Sequence, residues 1–221
     1  MHPTSPRGAR NAALVAIVWM SLVSAPLHSE PSQWEHVTTE AGIEVQQQRV
    51  AGRNLPMFRA SGEIDASLDE ILRALEEVPA QPDWMPDCAE ARLLRRDGSE
   101  LVVYRRTAIP WPLADRDMVL RSRLETVTRG EEVHIYFESV EDPLAPPHDG
   151  TVRMHVSGHY KIRALTADRV WIEYQVDADP GGKLPDWLAT SVSRENPMRT
   201  LTGLRVYVQQ RIPPDVGLPE R

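Results

Sequence analysis

Between Ala91 and Val176 the chain offers strand after strand and no helix, and that run decides what the fold can be. Ala91–Arg96 and Glu100–Ala108 flank an Asp97-Gly98 turn, and Asp117–Val127 and Val133–Val140 flank Arg129-Gly130. Thr151–Ala164 and Arg169–Val176 follow a proline-rich connection at 141–150. Strands of this length with short turns predict one curved antiparallel sheet. Upstream, Ile43–Val50 alternates apolar and polar residues, and Leu55–Ile64 reads as a second strand. Ser67-Leu68-Asp69-Glu70 is a capping box, opening a helix on which Leu68, Ile71, Leu72 and Leu75 recur at helical spacing until Pro79. Downstream, Leu184, Leu188, Val192, Met198, Leu201, Leu204 and Val208 fall in steps of three, four or six, the stripe of a long helix from Pro185 to about Gln209. Pro197 lies inside that helix and predicts a kink. A long sheet curls, its concave face must be covered, and only the last helix is long enough to cover it. The expected class is α+β, a curved sheet around a C-terminal helix. Small residues on the strands, Gly62, Ala91, Ser122 and Gly158, predict that the space between them is not fully packed.

Arg7 and Arg10 precede the uncharged apolar run Ala12–Val23. Twelve residues are too few to span a bilayer and match the core of a secretory leader. Residues 1–29 are therefore expected to be a cleaved signal peptide, 30–211 the folded domain, and 212–221 a flexible tail. The expected location is exported, periplasmic or secreted. Removing Arg7 and Arg10 takes the formal charge from −7 to −9. So acidic a domain has no electrostatic footprint for nucleic acid. Cys88 is the lone cysteine, which leaves no internal disulfide and favours a buried structural thiol.

Ile109-Pro110-Trp111-Pro112-Leu113-Ala114-Asp115-Arg116-Asp117 joins two strand runs. Each proline fixes φ and removes a donor, so the connection is stiff and presents a bulky aromatic group. The charges that follow read either as a surface salt bridge or as the rim of a gated pocket. Enzymatic constellations are not evident. His155 and His159, four apart on a strand, stand about 13 Å apart, too far to share a metal. Asp177 and Asp179 read as solvated loop acids, and no phosphate loop, zinc-protease motif or nucleophile elbow occurs.

Three stretches resemble the START lipid-transfer domains of the helix-grip superfamily. They are Trp84-Met85-Pro86-Asp87-Cys88, the segment from Pro110 to Val119 with its Arg116-Asp117 step, and Asp179-Pro180-Gly181-Gly182-Lys183-Leu184-Pro185-Asp186-Trp187. The resemblance implies a helix-grip fold with an internal hydrophobic cavity that holds one lipid or other hydrophobic small molecule. It implies a non-catalytic carrier or sensor, with a gate made by the 109–116 loop and the C-terminal helix, and no cofactor or metal. The residues expected at the gate and the ligand are Trp111, Pro112, Leu113, Met118, Leu120, Ser122, Leu184, Leu188, Val192 and Met198. Arg116 and Asp117 are expected to form a structural clasp, with Arg116 ion-paired to a neighbouring aspartate. The protein is expected to act as a monomer that contacts membranes transiently. Steroid carriers of the family place a charged pair in the cavity, whereas the corresponding positions here are Ser122 and about Val103, which puts sterol specificity in doubt. The alternative is a helix-grip enzyme of the polyketide cyclase kind, using polar residues in the same cavity.

Overall fold

The computed structural model describes residues 33–52, 55–182 and 185–211, without the side chains of 186–189, 191 and 192. The expected leader at 1–29, the tail at 212–221 and Leu184 lie outside the described residues, as do the side chains of Leu188 and Val192. The strands are β1 (Glu35–Glu40), β2 (Ile43–Gln48), β3 (Met57–Ile64), β4 (Cys88–Asp97) and β5 (Glu100–Thr107). They continue with β6 (Asp115–Thr128), β7 (Glu132–Ser139), β8 (Thr151–Arg153), β9 (His155–Thr166) and β10 (Arg169–Asp179). They form one sheet in the order β1-β2-β3-β10-β9-β7-β6-β5-β4, antiparallel at every step. After β3, helix α1 (Leu68–Glu76) and a 3₁₀ turn (Val78–Asp83) carry the chain to the far edge at β4. Hairpins then return it until β10 pairs with β3. Helix α2 (Asp186–Arg211) follows and continues through Pro197.

The capping box forms as its spacing predicts: Ser67 Oγ accepts from the Glu70 N–H, and the Glu70 carboxylate accepts from the Ser67 N–H. The run expected as one strand from Thr151 to Ala164 instead divides at Met154. Its first part, β8, lies parallel to the start of β6, pairing Asp117 with Arg153. The cause is an ion pair: the buried Asp117 carboxylate accepts from Arg153 Nε and Nη2 at 2.8 and 3.1 Å.

Leu201, Leu204 and Val208 of α2 are buried in the main core with Ile43, Val45, Phe58 and Ile172 from the sheet. Leu68, Ile71 and Ala74 of α1 join the same cluster. A Cβ at Gly203 would stand 2.0 Å from the Trp84 carbonyl oxygen, so α2 meets the end of the 3₁₀ turn at a point that admits only glycine. The strand glycines correct an expectation. A Cβ at Gly158 would lie 2.6 Å from the Phe137 ring, and one at Gly62 2.7 Å from the Gly42 oxygen. These positions are small because neighbours press on them; Ser122 alone of the four small residues borders open space.

Candidate functional site: an apolar cavity lined by arginines

Side chains alternate across a strand, and that rule builds the cavity. On β5, Leu101, Val103, Arg105 and Thr107 face inward, while Val102 and Tyr104 pack behind the sheet with Val119 and Ala145. On β6, Arg116, Met118, Leu120 and Ser122 face inward. Ile135, Phe137, Val156, Tyr160, Tyr174 and Phe58 complete the concave wall. The enclosed space is about 190 Å³, an order of magnitude beyond the roughly 10–15 Å³ that one water needs.

Met118, Leu120 and Ser122, expected at the ligand, line this cavity. Of the expected gate residues that the structure describes, Trp111, Pro112 and Leu113 do not border the cavity. Trp111 is 91% exposed, Pro112 is exposed, and Leu113 is half-buried in a turn closed by its N–H on the Pro110 carbonyl. Ile109, and Arg116 at the far end, are the residues of the 109–116 segment that reach the lining. The helix face over the cavity also differs from the apolar stripe. Ser193, Asn196 and Thr200 line the space, whereas Met198, partly buried, packs against the core. These three fall at spacings of three and four, on a face turned about 100° around the helix from Leu201.

The clasp uses other partners than expected. Arg116 is buried, yet it pairs with neither neighbouring aspartate. Consecutive strand residues point to opposite faces, so Asp117 turns to Arg153 behind the sheet. Asp115 instead accepts from Arg106 at 2.6 Å and from the Ile109 N–H at 3.1 Å, which hold its carboxyl below the usual range, the backbone bond foremost. Arg116 donates Nη1 to the Ala114 carbonyl and Nε to the Pro180 carbonyl at 3.3 Å. It thereby ties the start of β6 to the segment that enters α2.

Sequence reasoning missed Arg105. Its guanidinium donates Nε and Nη2 to the Gln81 amide oxygen at 3.1 and 2.7 Å. Gln81 is buried and donates in turn to the Leu75 carbonyl. The signal was the alternation itself: Arg105 lies two and four residues beyond Val103 and Leu101. It was hidden because both faces of β5 are covered, so Leu101 to Tyr104 reads as an unbroken apolar run. Tyr160 and Tyr174 stack beside it in the wall, ring centroids 4.5 Å apart. Desolvation pushes the Tyr174 phenol up to about 12 and that of Tyr160 well above its ordinary value, while the Arg105 charge pulls both down.

Other candidates resolve as ordinary structure. Cys88 is buried, donates to the Glu90 carbonyl, and has its thiol pKa raised by desolvation. His155 and His159 both lie on β9, and His159 bonds to the Glu173 carboxylate at 3.1 Å. Asp179 accepts from the Gly181 N–H.

A curved sheet around a C-terminal helix with an apolar chamber between them defines a helix-grip protein. The family model of the START domain matches residues 11–210, and the chain belongs to that family. A crystal structure of the STAR-related lipid transfer protein from Xanthomonas axonopodis is 32% identical, with a TM-score of 0.73. That match covers 80% of this chain and 99% of the other. The phosphatidylcholine transfer protein of Bos taurus is 28% identical over 165 residues, 70% of this chain and 74% of that protein. Human STARD10 shares the fold with a TM-score of 0.72 at 22% identity, over 80% of this chain and 73% of that one. Kinship with lipid-transfer proteins supports a general non-catalytic lipid-binding or lipid-transfer role. The comparisons also correct the exported location. The family match begins at residue 11, inside the stretch assigned to a leader. Human STARD10 and two further human relatives, the StAR-related lipid transfer protein 5 and StarD13, are cytosolic proteins.

Proposed function

We propose that this protein is a monomeric lipid carrier that takes one lipid into the chamber between the sheet and α2 and releases it at a membrane. The observation that carries the proposal is the chamber itself, walled by Leu101, Val103, Leu120, Phe137 and Val156. Burying apolar ligand surface there is worth about 25 cal/mol per Å², enough to hold an acyl chain without any covalent chemistry.

Entry is through the 109–116 segment and the near part of α2, the domain being 30–211. Ile109 borders the chamber from the segment, Ser193 and Asn196 from the helix, and Arg116 links the two through the Ala114 and Pro180 carbonyls. Trp111, 91% exposed between two prolines, is the group that meets the membrane, since an indole lodges at the headgroup level of a bilayer. Contact is transient because a single side chain supplies little apolar area. The test is transfer of labelled lipid between donor and acceptor vesicles. Transfer that rises in proportion to protein supports the carrier, and transfer no faster than the spontaneous rate refutes it.

A further inference from the structure

Two arginines of the chamber wall, Arg105 and Arg116, have no carboxylate partner among the described residues. Glu76 is the carboxylate of the lining, and it is engaged at the exposed rim with Arg96 at 3.0 Å. Arg105 has no carboxylate within 4.0 Å among the described residues; its partner is the neutral Gln81 amide. An arginine cannot shed its proton to relieve burial. Of its five N–H groups, Gln81 takes two, leaving the Nη1 pair and the second Nη2 hydrogen without a protein acceptor among the described residues. Arg116, the third arginine of the lining after Arg96 and Arg105, spends two N–H groups on backbone carbonyls and likewise has no carboxylate partner among the described residues.

From this we infer that the chamber is built for a lipid with an anionic head, a carboxylate or a phosphate monoester, and that Arg105 binds the anion. This rests on the carrier reading above. A planar guanidinium with one edge fixed by Gln81 and other donors free is already oriented for a carboxylate or phosphate, which it holds by paired charge-assisted hydrogen bonds. Gln81 is the positioning residue: its own N–H on the Leu75 carbonyl leaves its amide oxygen toward Arg105. The stacked Tyr160 and Tyr174 phenols, neutral at physiological pH as any phenol is and raised further by burial, add no competing negative charge. The apolar walls of β6, β7 and β9 take the chain.

The test uses the full chain and three probes with one acyl chain: oleate, 1-oleoyl lysophosphatidate and monoolein. Affinities are measured by displacement of a fluorescent fatty acid. The expected result is that at least one of the two anions binds about ten-fold or more tightly than monoolein, as a charged hydrogen-bonded head should. Which anion does so separates the carboxylate from the phosphate source. Arg105→Gln should collapse the ratio of anion to monoolein affinity toward one, and Arg105→Lys should restore part of it. Gln81→Glu leaves Arg105 in place but supplies an internal carboxylate, and it too should collapse the ratio; it serves if Arg105→Gln does not fold. A ratio near one in the unaltered protein, or a ratio preserved in folded Arg105→Gln or Gln81→Glu, overturns the inference while leaving the carrier intact. Failure of all three probes to bind overturns the carrier reading itself.

Discussion

Gly203→Ala pits two well-known effects against each other at one atom. In an exposed helix interior, replacing glycine by alanine stabilises by about 0.5–1 kcal/mol, because glycine loses more backbone freedom on folding. Here the added Cβ would stand 2.0 Å from the Trp84 carbonyl oxygen, against the 3.4 Å at which ordinary contact begins. The listener on the other side is backbone, so no rotamer change relieves the clash, and α2 must retreat by about 1.4 Å. Leu201 and Leu204, both fully buried, retreat with it. Overpacking of this kind costs about 1–3 kcal/mol, so the net effect is a loss of about 1–2 kcal/mol. With a urea m-value of about 2 kcal/mol/M, the midpoint should fall by about 0.5–1 M at unchanged m. A midpoint that rises, as for a solvent-facing helical glycine, would refute the packing of α2 on the 3₁₀ turn.

Asp117→Asn should cost about 3 kcal/mol in a chemical melt, since it leaves Arg153 without its buried partner; a loss below about 1 kcal/mol would contradict the clamp between β6 and β8. The Glu173 carboxyl is held below its usual range, first by the His159 hydrogen bond and also by Lys161 and Arg59. A depressed folded-state pKa gives stability that is present above the unfolded value of about 4.3 and lost as pH falls through the lower folded value. The difference in melting temperature between the protein and Glu173→Gln should therefore shrink from pH 5 to pH 3, and a constant difference from pH 7 to pH 3 would contradict the linkage. Trp111→Ala should leave stability within about 0.5 kcal/mol, as its ring touches little, while slowing lipid uptake from vesicles; a cooperative loss of stability would show that the ring packs.

The architecture was legible because its signals are local. The Ser67–Glu70 box, the alternation along β6 and the helical spacing of Leu201, Leu204 and Val208 each depend on neighbours within a turn or a strand. What the sequence hid depends on contacts far along the chain. The division of Thr151–Ala164 into β8 and β9 follows from Arg153 meeting Asp117, 36 residues away. The partners of Arg116 could not be read from flanking charges, because the strand sends Arg116 and Asp117 to opposite faces. The polar face of α2 over the cavity, Ser193, Asn196 and Thr200, was overlooked because a search for apolar stripes passes over the residues that border a ligand's space. Arg105 was obscured for a related reason: β5 is covered on both faces, so its burial pattern lacks the alternation that marks an inward-facing charge.

The central claim, that the chamber is occupied by cargo, is tested most directly by filling it with protein. Ser122 borders the space and pairs in register with Leu101 and Phe137, so Ser122→Trp places an indole where a chain would lie. Native mass spectrometry is run on both proteins after incubation with vesicles of phosphatidylcholine and oleate, with circular dichroism confirming that each is folded. The account predicts one lipid per chain in the unaltered protein and none in the folded Ser122→Trp variant. Equal lipid loading of the two proteins, or none in either, would contradict it.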